Sequence, residues 1–499
     1  MTVKEALEAF SAYEKASFAL SHASGLLYYD GATTAPKGST QVRSNTLGEL
    51  SRMSYELTTS PSTVEMIETL FSNLGELDAV TARKISELKR EYDRTHRIPV
   101  SEYVAYTELC SRSSDVWHDA KEHNDFASFE PYLQQVFDMT RRIALYEEPD
   151  RDPYNTMLDT FERGLNKQTC DRFFGVLREK LPPLIDAVSA HADRVDDSPL
   201  HASFPVPIQR EFSDFVMGLM EIDRNHCIIG ETEHPFTTDF SKYDVRITTH
   251  YHENLVASSL YSVIHEGGHA LYELHTGDEL AFSALGGGVS MAIHESQSRF
   301  YENIIGRSRA FCGLIYPWLR EHFPAQLASV TEDDFYRMIN RAEPSLIRTE
   351  ADELTYCMHI MIRYELERRM FDGSLCAHDL PAEWNRLYRE YLGVTVPDDR
   401  RGVLQDSHWS DGAIGYFPSY AIGSAYGAQY LHEMNRSFDV YGAVANSRIG
   451  QVNAWLEEKI WRHGCMIDPV DLFTSVCGTF DPQYYIDYLT AKFKEVYRL

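Results

Sequence analysis

The run Leu255-Val-Ala-Ser-Ser-Leu260-Tyr-Ser-Val-Ile264-His265-Glu266-Gly267-Gly268-His269-Ala270-Leu271-Tyr-Glu-Leu274 decides how the rest of the chain is read. Its apolar residues recur at three- and four-residue steps, the period of a helix with one buried face. The pattern predicts a helix over 253–275. His265 and His269, four residues apart, then project from one face, one turn above the other. That places two nitrogen ligands on a single Zn²⁺. Glu266 lies beside that face, where it can take a proton from a metal-bound water. Gly267 and Gly268 cost about 0.8–1.0 kcal/mol each relative to Ala inside a helix. Close approach of another backbone or of a substrate is the expected reason for them.

Catalytic zinc usually takes three protein ligands and keeps a fourth position open, so a third ligand is sought downstream. Ile293-His294-Glu295-Ser-Gln-Ser-Arg299-Phe-Tyr-Glu302-Asn303 begins a new helix after the turn-rich Ala284-Leu-Gly286-Gly287-Gly288. Glu295 follows His269 by 26 residues, enough for one helix to end and a second to return. Spacing favours it, with Glu273, Glu279 and Glu302 as rivals.

Working outward, helical periodicity covers most of the chain: 3–22, 40–58, 62–73, 76–94, 99–120, 127–147, 168–194, 207–221, 290–306, 308–321, 332–339, 345–371, 381–392, 420–434, 438–462 and 481–497. One stretch alternates instead. Phe240-Ser-Lys-Tyr-Asp244-Val-Arg246-Ile-Thr248-Thr-His250 reads as a strand whose unpaired edge could hold an extended peptide. The expected fold is mainly α, with one small β-sheet beside the histidine helix.

A chain of 499 residues with 43% hydrophobic content can bury a large core. No linker, repeat or low-complexity run divides it, so a single unit over 1–499 is expected. Its N-terminal helical part covers about 1–200, and its metal and substrate motifs lie over 234–420. The net charge of −28 argues against nucleic acid and against anionic membrane surfaces. The eight cysteines form no C-x-x-C pair and read as free thiols. The acidic start Met1-Thr-Val-Lys-Glu-Ala lacks the basic and apolar regions of a leader. No apolar run reaches the roughly 18 residues of a membrane span. The cytoplasm is the expected compartment.

Further motifs stand in a fixed order around the histidine helix. They are His234-Pro-Phe236, Asp244-Val-Arg246-Ile-Thr248, Ile347-Arg348-Thr-Glu-Ala351-Asp352 and Gly402-Val-Leu-Gln405-Asp406-Ser-His408-Trp409. Asp30, Thr34, Pro36 and Gly38 form another element, and Pro153-Tyr154 through Leu165 a further stretch. Together with His-Glu-x-Gly-His and His294-Glu-Ser-Gln-Ser-Arg299, this set resembles the carboxypeptidase Taq family of metallocarboxypeptidases along the whole chain. The resemblance implies a helical catalytic unit with a deep substrate groove, commonly a homodimer, that removes single residues from peptide C-termini. It implies His265, His269 and Glu295 as metal ligands and Glu266 as the base. Tyr29-Asp30 stands where the family usually has Trp-Asp, and Ala35 where Met is frequent. Arg299 occupies the position where related metallopeptidases often place an orienting carboxylate.

Peptide hydrolysis also needs a donor for the developing oxyanion. His408 is one candidate. Gly415-Tyr416-Phe417-Pro418-Ser419-Tyr420 resembles the tyrosine-bearing stretch of distantly related helical zinc peptidases, which suggests Tyr416 or Tyr420. A free C-terminal carboxylate is best met by a fixed guanidinium. Arg348 is the first choice and Arg246 the second, with Asp352 and Asp244 as their local ion-pair partners under a purely structural role. His234, Gln405 and Asp406 are expected to line the groove, and Asp406 could also orient His408. Zn²⁺ is the expected metal, with Co²⁺ accepted by similar ligands. The alternative activity is that of a related helical zinc oligopeptidase or dipeptidase.

Overall fold

The computed structural model describes residues 1–499 and is predominantly helical, with one three-stranded sheet. No helix is long and apolar enough to cross a membrane. Its contacts divide it into two compact units.

The first unit comprises Met1–Thr95, Ser203–Val289 and Ser447–Ile467. It opens with the helix Val3–Thr33, started by a capping box between Thr2 and Glu5. This helix runs eleven residues past the expected end at 22. Its small core is Ala6, Phe10, Met66, Ile67, Leu70 and Ile85, at helical spacing on three helices. The sheet consists of β1 (Cys227–Glu231), β2 (Thr237–Ser241) and β3 (Asp244–Thr249), in the order β1-β3-β2. β1 pairs with β3 in parallel and β2 with β3 antiparallel, with a bulge between Asp239 and Ser241.

The sheet corrects one expectation. The alternating stretch 240–250 is not one strand but the end of β2, a turn at Lys242-Tyr243, and β3. Because β3 is central, both of its edges are already hydrogen-bonded, and it has none to offer a peptide. Its buried Val245, Ile247 and Thr249 face the histidine helix Val256–Leu274, which packs on it.

The second unit comprises His96–Ala202, Ser290–Asn446 and Asp468–Leu499. Two helices in it open on proline at the first turn, Pro153–Phe161 and Pro469–Cys477, and have no counterpart among the expected elements. The expected helix 345–371 starts only at Tyr356. Asp352 accepts the backbone N–H groups of Leu354 and Thr355, which holds residues 353–355 in a turn ahead of the α-helix. The expected helix 438–462 is likewise broken between Ala445 and Gly450, where Ser447 takes φ 55°. The glutamate helix Met291–Arg299 continues as π-helix through Gly306. It lies against the long helix Phe417–Asn435, the most extensive helix pair in the molecule. All eight cysteines are free thiols.

Candidate active site

His265 and His269 project from one face of the histidine helix, with ring centroids 4.9 Å apart and planes at 84°. One ligand atom from each, with a carboxylate oxygen of Glu295, forms a group whose atoms all lie within 4.8 Å of one another. Two imidazoles and one carboxylate are the donor set of a catalytic zinc site, so the residues present fit the ion. The rival carboxylates are engaged elsewhere or exposed. Glu273 accepts the Gly288 N–H at 3.1 Å, and Glu302 meets Arg299 at 3.0 Å. Glu279 is exposed on a short 3₁₀ turn.

Glu266 is buried at 7% exposure. Thr237 on β2 holds it, its hydroxyl 2.6 Å from Oε2 and 3.1 Å from the Glu266 carbonyl oxygen. Gly267 has a packing reason rather than a backbone or substrate neighbour: a Cβ there would meet Met220 Cε at 2.8 Å and Ile222 Cδ1 at 3.0 Å. Both residues follow the helix Val206–Leu219, which packs on the histidine helix.

Glu295 is built in from several sides. Arg299, one turn on, donates from Nε to Oε1 at 2.8 Å and lies 4.3 Å over the Tyr356 ring. Ser298 Oγ is 3.2 Å from the other oxygen. At the helix start Ser290 caps the Ile293 N–H, and the buried Glu162 accepts the Ala292 N–H at 2.8 Å. A Cβ on Gly423 would stand 2.8 Å from Glu295 Cβ and 2.9 Å from the Ala292 carbonyl oxygen. Gly423 therefore sets how closely the two helices approach. Gly423→Ala is expected to displace Glu295 and weaken metal binding by about 10-fold or more, although no donor changes. Chelator competition measures this; wild-type affinity would show that the helix pair absorbs the methyl without moving the ligand.

Arg348 opens the 3₁₀ turn Arg348–Glu350 that precedes the helix Tyr356–Asp372, its side chain 8% exposed. Its partner is Asp406 rather than the nearby Asp352, which is occupied in capping. Arg348 Nε and Nη2 donate to Asp406 Oδ1 at 3.0 and 2.8 Å, and Nη1 to the Tyr356 hydroxyl at 3.3 Å. Tyr356 thus touches both Arg348 and Arg299, linking the guanidinium to Glu295. Asp406 Oδ2 is taken by Arg363 Nε at 2.7 Å. Gln405 Oε1 accepts the Arg348 backbone N–H at 3.0 Å and Arg363 Nη2 at 2.8 Å. Gln405 is an internal strut of this network.

Both Asp406 oxygens being spent, Asp406 does not hydrogen-bond His408. His408 Nε2 lies 3.3 Å from the Tyr420 hydroxyl, and Nδ1 is buried with no partner. Burial pushes His408 down to about 4 despite the nearby Asp406 charge, so its imidazole is neutral at ordinary pH. Tyr416 and Tyr420 meet edge to face at 4.9 Å, and the Tyr416 ring lies along that of His408.

Below this cluster Glu367 accepts from the Tyr154 hydroxyl at 2.7 Å, Trp409 Nε1 at 2.7 Å and the Gly415 N–H at 3.0 Å. It pins the loop running from His408 to Tyr416. Burial pushes its carboxyl up from 4.5 to about 7, against the three donors. Since the folded value is the higher one, this group's contribution to stability is fully present below pH 4.5 and lost as pH rises through about 7. Thermal melts across that window should show Glu367→Gln with a shallower fall in Tm than the parent, whatever its absolute Tm. An unchanged slope would contradict the assignment. Glu162, raised to about 7 by burial, supplies a like contribution that stays.

Two expected substrate residues belong to the first unit. Arg246 on β3 forms a two-bond pair with Asp244 at 2.8 Å each and lies over the Tyr29 and Phe240 rings. This is the structural ion pair weighed for it. His234 is exposed in the β1–β2 connection, in a local turn with Thr232. Thr237, Arg299, Arg363, Glu367 and Gly423 were not anticipated. Arg299 at four residues from Glu295 and the spacing Gly423-x-x-x-Gly427 were signals within reach. Thr237 and Arg363 act across long sequence separations and leave no local sign.

Two imidazoles one turn apart, a downstream glutamate and a buried carboxylate next in sequence to the first histidine define a centre of the metallopeptidase class. The model of carboxypeptidase Taq (M32) metallopeptidase matches residues 9–493, and the chain belongs to that family. It is an enzyme of the metallocarboxypeptidase class. It is 38% identical to carboxypeptidase 1 of Bacillus subtilis (strain 168) over 496 residues, 98% of this chain and 99% of that one. Thermostable carboxypeptidase 1 of Pyrococcus furiosus is 36% identical, covering 95% of this chain and 96% of its own. The crystal structure of the M32 carboxypeptidase from Deinococcus radiodurans R1 superposes with a TM-score of 0.95 at 33% identity, covering 99% of this chain and all of that one.

Proposed function

We propose that this enzyme releases single amino acids from the C-termini of peptides, with His265, His269 and Glu295 holding a divalent ion and Glu266 as general base. The nitrogen–nitrogen–oxygen donor set favours zinc, with cobalt accepted. When bound, the ion supplies Lewis acidity to a carbonyl and lowers the pKa of water. Glu266 takes the proton of the attacking water and later returns it to the leaving amine. Thr237 holds one of its oxygens and so fixes its direction.

Arg348 reads the substrate's end. A guanidinium has five N–H bonds, and protein acceptors take three of those on Arg348. One N–H on each terminal nitrogen is left, the pair that meets a carboxylate end-on. Neutral His408 meets the Tyr420 hydroxyl at 3.3 Å, and Tyr420 in turn bears on Tyr416. We assign Tyr416, at the end of that chain, as donor to the oxyanion. His234 and Arg246 have secondary roles at most in this reading. The same resemblance supports a single catalytic unit over the whole chain and a cytoplasmic homodimer, which sedimentation velocity would check as to assembly.

The observation that carries this reading is the His265, His269 and Glu295 group, with Glu266 in the helix of the two histidines. Stripping the protein with a chelator and restoring Zn²⁺ or Co²⁺ tests it. Peptidase activity should vanish and return with a single ion per chain. Activity that survives complete removal of metal would refute it.

A further inference from the structure

Arg363 is a charge that the chemistry so far does not use. It is fully buried, at 0% exposure, on the helix Tyr356–Asp372. Four hydrogen bonds and one ion-pair contact engage its guanidinium. Nε and Nη2 go to Asp406 Oδ2 at 2.7 and 2.6 Å, and Nη2 also goes to Gln405 Oε1 at 2.8 Å. Nη1 goes to the His359 carbonyl oxygen at 2.8 Å and the Tyr388 hydroxyl at 3.3 Å. The plane of the group lies against Trp384 at 4.6 Å and Phe417 at 5.4 Å. Fully buried, it has no exposed edge with which to touch a substrate.

Its effect is on the balance of charge. Arg348 and Asp406 alone would form a neutral pair, and a neutral pair gives little attraction to a second carboxylate. With Arg363 on the other oxygen the group holds two guanidiniums and one carboxylate, a sum of +1 (2 − 1 = 1). His408 beside it is neutral, while Lys121, bonded to the Gln405 carbonyl oxygen at 2.8 Å, adds further positive charge. The surplus falls on Arg348, which is the member with uncommitted N–H bonds. Buried charges interact strongly because little solvent screens them.

We infer that Arg363 sets the enzyme's preference for a free C-terminal carboxylate by neutralising Asp406, so that the charge of Arg348 is left for the substrate. Arg363 is a positioning residue that never touches the peptide. This rests on the reading of Arg348 as the substrate anchor. A structural role alone would predict that losing Arg363 is made worse by losing Asp406. The charge account predicts the reverse, because removing both again leaves Arg348 as an unbalanced cation.

The test uses the full-length, zinc-loaded enzyme and the ratio of kcat/KM for an N-blocked peptide acid to that for its C-terminal amide, with Tm recorded for each variant. Arg363→Met should lower this ratio by about 30-fold or more. Arg363→Met with Asp406→Asn should recover most of it, and Arg363→Lys should keep most of it. A double variant that falls further, or an Arg363→Met ratio equal to wild type, overturns the inference. If Arg363→Met does not fold, Asp406→Asn alone decides: the ratio should rise several-fold, and a fall or no change counts against the account. Arg348→Ala run in parallel separates the two levels. If it leaves the ratio unchanged, the anchor reading itself is wrong; if it collapses the ratio while Arg363→Met does not, only the present inference is.

Discussion

Glu266→Gln is expected to lower kcat by about 10²- to 10⁴-fold, the usual worth of a positioned general base, while metal content stays at the parent level. The substitution keeps the side chain's length and leaves all three metal donors in place. The amide oxygen can still accept from Thr237, whose hydroxyl lies 2.6 Å from Oε2, so the group's orientation survives and only its basicity goes. Glu266 is buried, which means the loss cannot be made good by a mobile surface carboxylate. Metal analysis beside single-turnover rates checks both halves. Turnover near the parent value would remove Glu266 from the chemistry, and loss of metal with turnover would point to a distorted helix instead.

Arg348→Ala should cost about 2–5 kcal/mol in kcat/KM for peptides with a free carboxylate, the range for truncating one partner of a buried charge pair. Amidated peptides should change far less, because they offer no anion to lose. The backbone N–H of residue 348 still bonds Gln405 Oε1, and Arg363 still holds Asp406 Oδ2, so the surrounding loop keeps most of its ties. The Tyr356 hydroxyl loses one donor, yet Arg299 stays over the Tyr356 ring and on Glu295. Equal losses on acid and amide would mean that Arg348 serves the structure of the site and not the substrate.

How much of this could be read from the chain depends on the distance over which each contact acts. The histidine helix was legible because its period, its two histidines and its glutamate all lie within one local run. Its neighbour Gly267 was not, since Met220 and Ile222 approach it from the turn that follows another helix. The strand reading at 240–250 found β3 but missed its setting. Strand order depends on β1, whose partner in sequence lies beyond the β2 turn, and so alternation alone could not tell a central strand from an edge. Arg348 and Asp406 each stood in a quoted motif, yet their pairing across 58 residues was invisible, and local spacing suggested Asp352 instead. Arg363 carried no motif at all. Helix starts failed in the same way: Asp352 turns its side chain onto the backbone and delays the helix to Tyr356, a choice periodicity does not record.

The central claim is that a metal centre and a carboxylate anchor together cut one residue from a free C-terminus. Incubating the zinc-loaded enzyme with an N-blocked peptide acid and its matched amide, with products weighed by mass spectrometry over time, tests it most directly. The account predicts that only the acid is consumed and that each new product is shorter by a single residue. Comparable cleavage of the amide, or products shorter by two residues or cut internally, would contradict it.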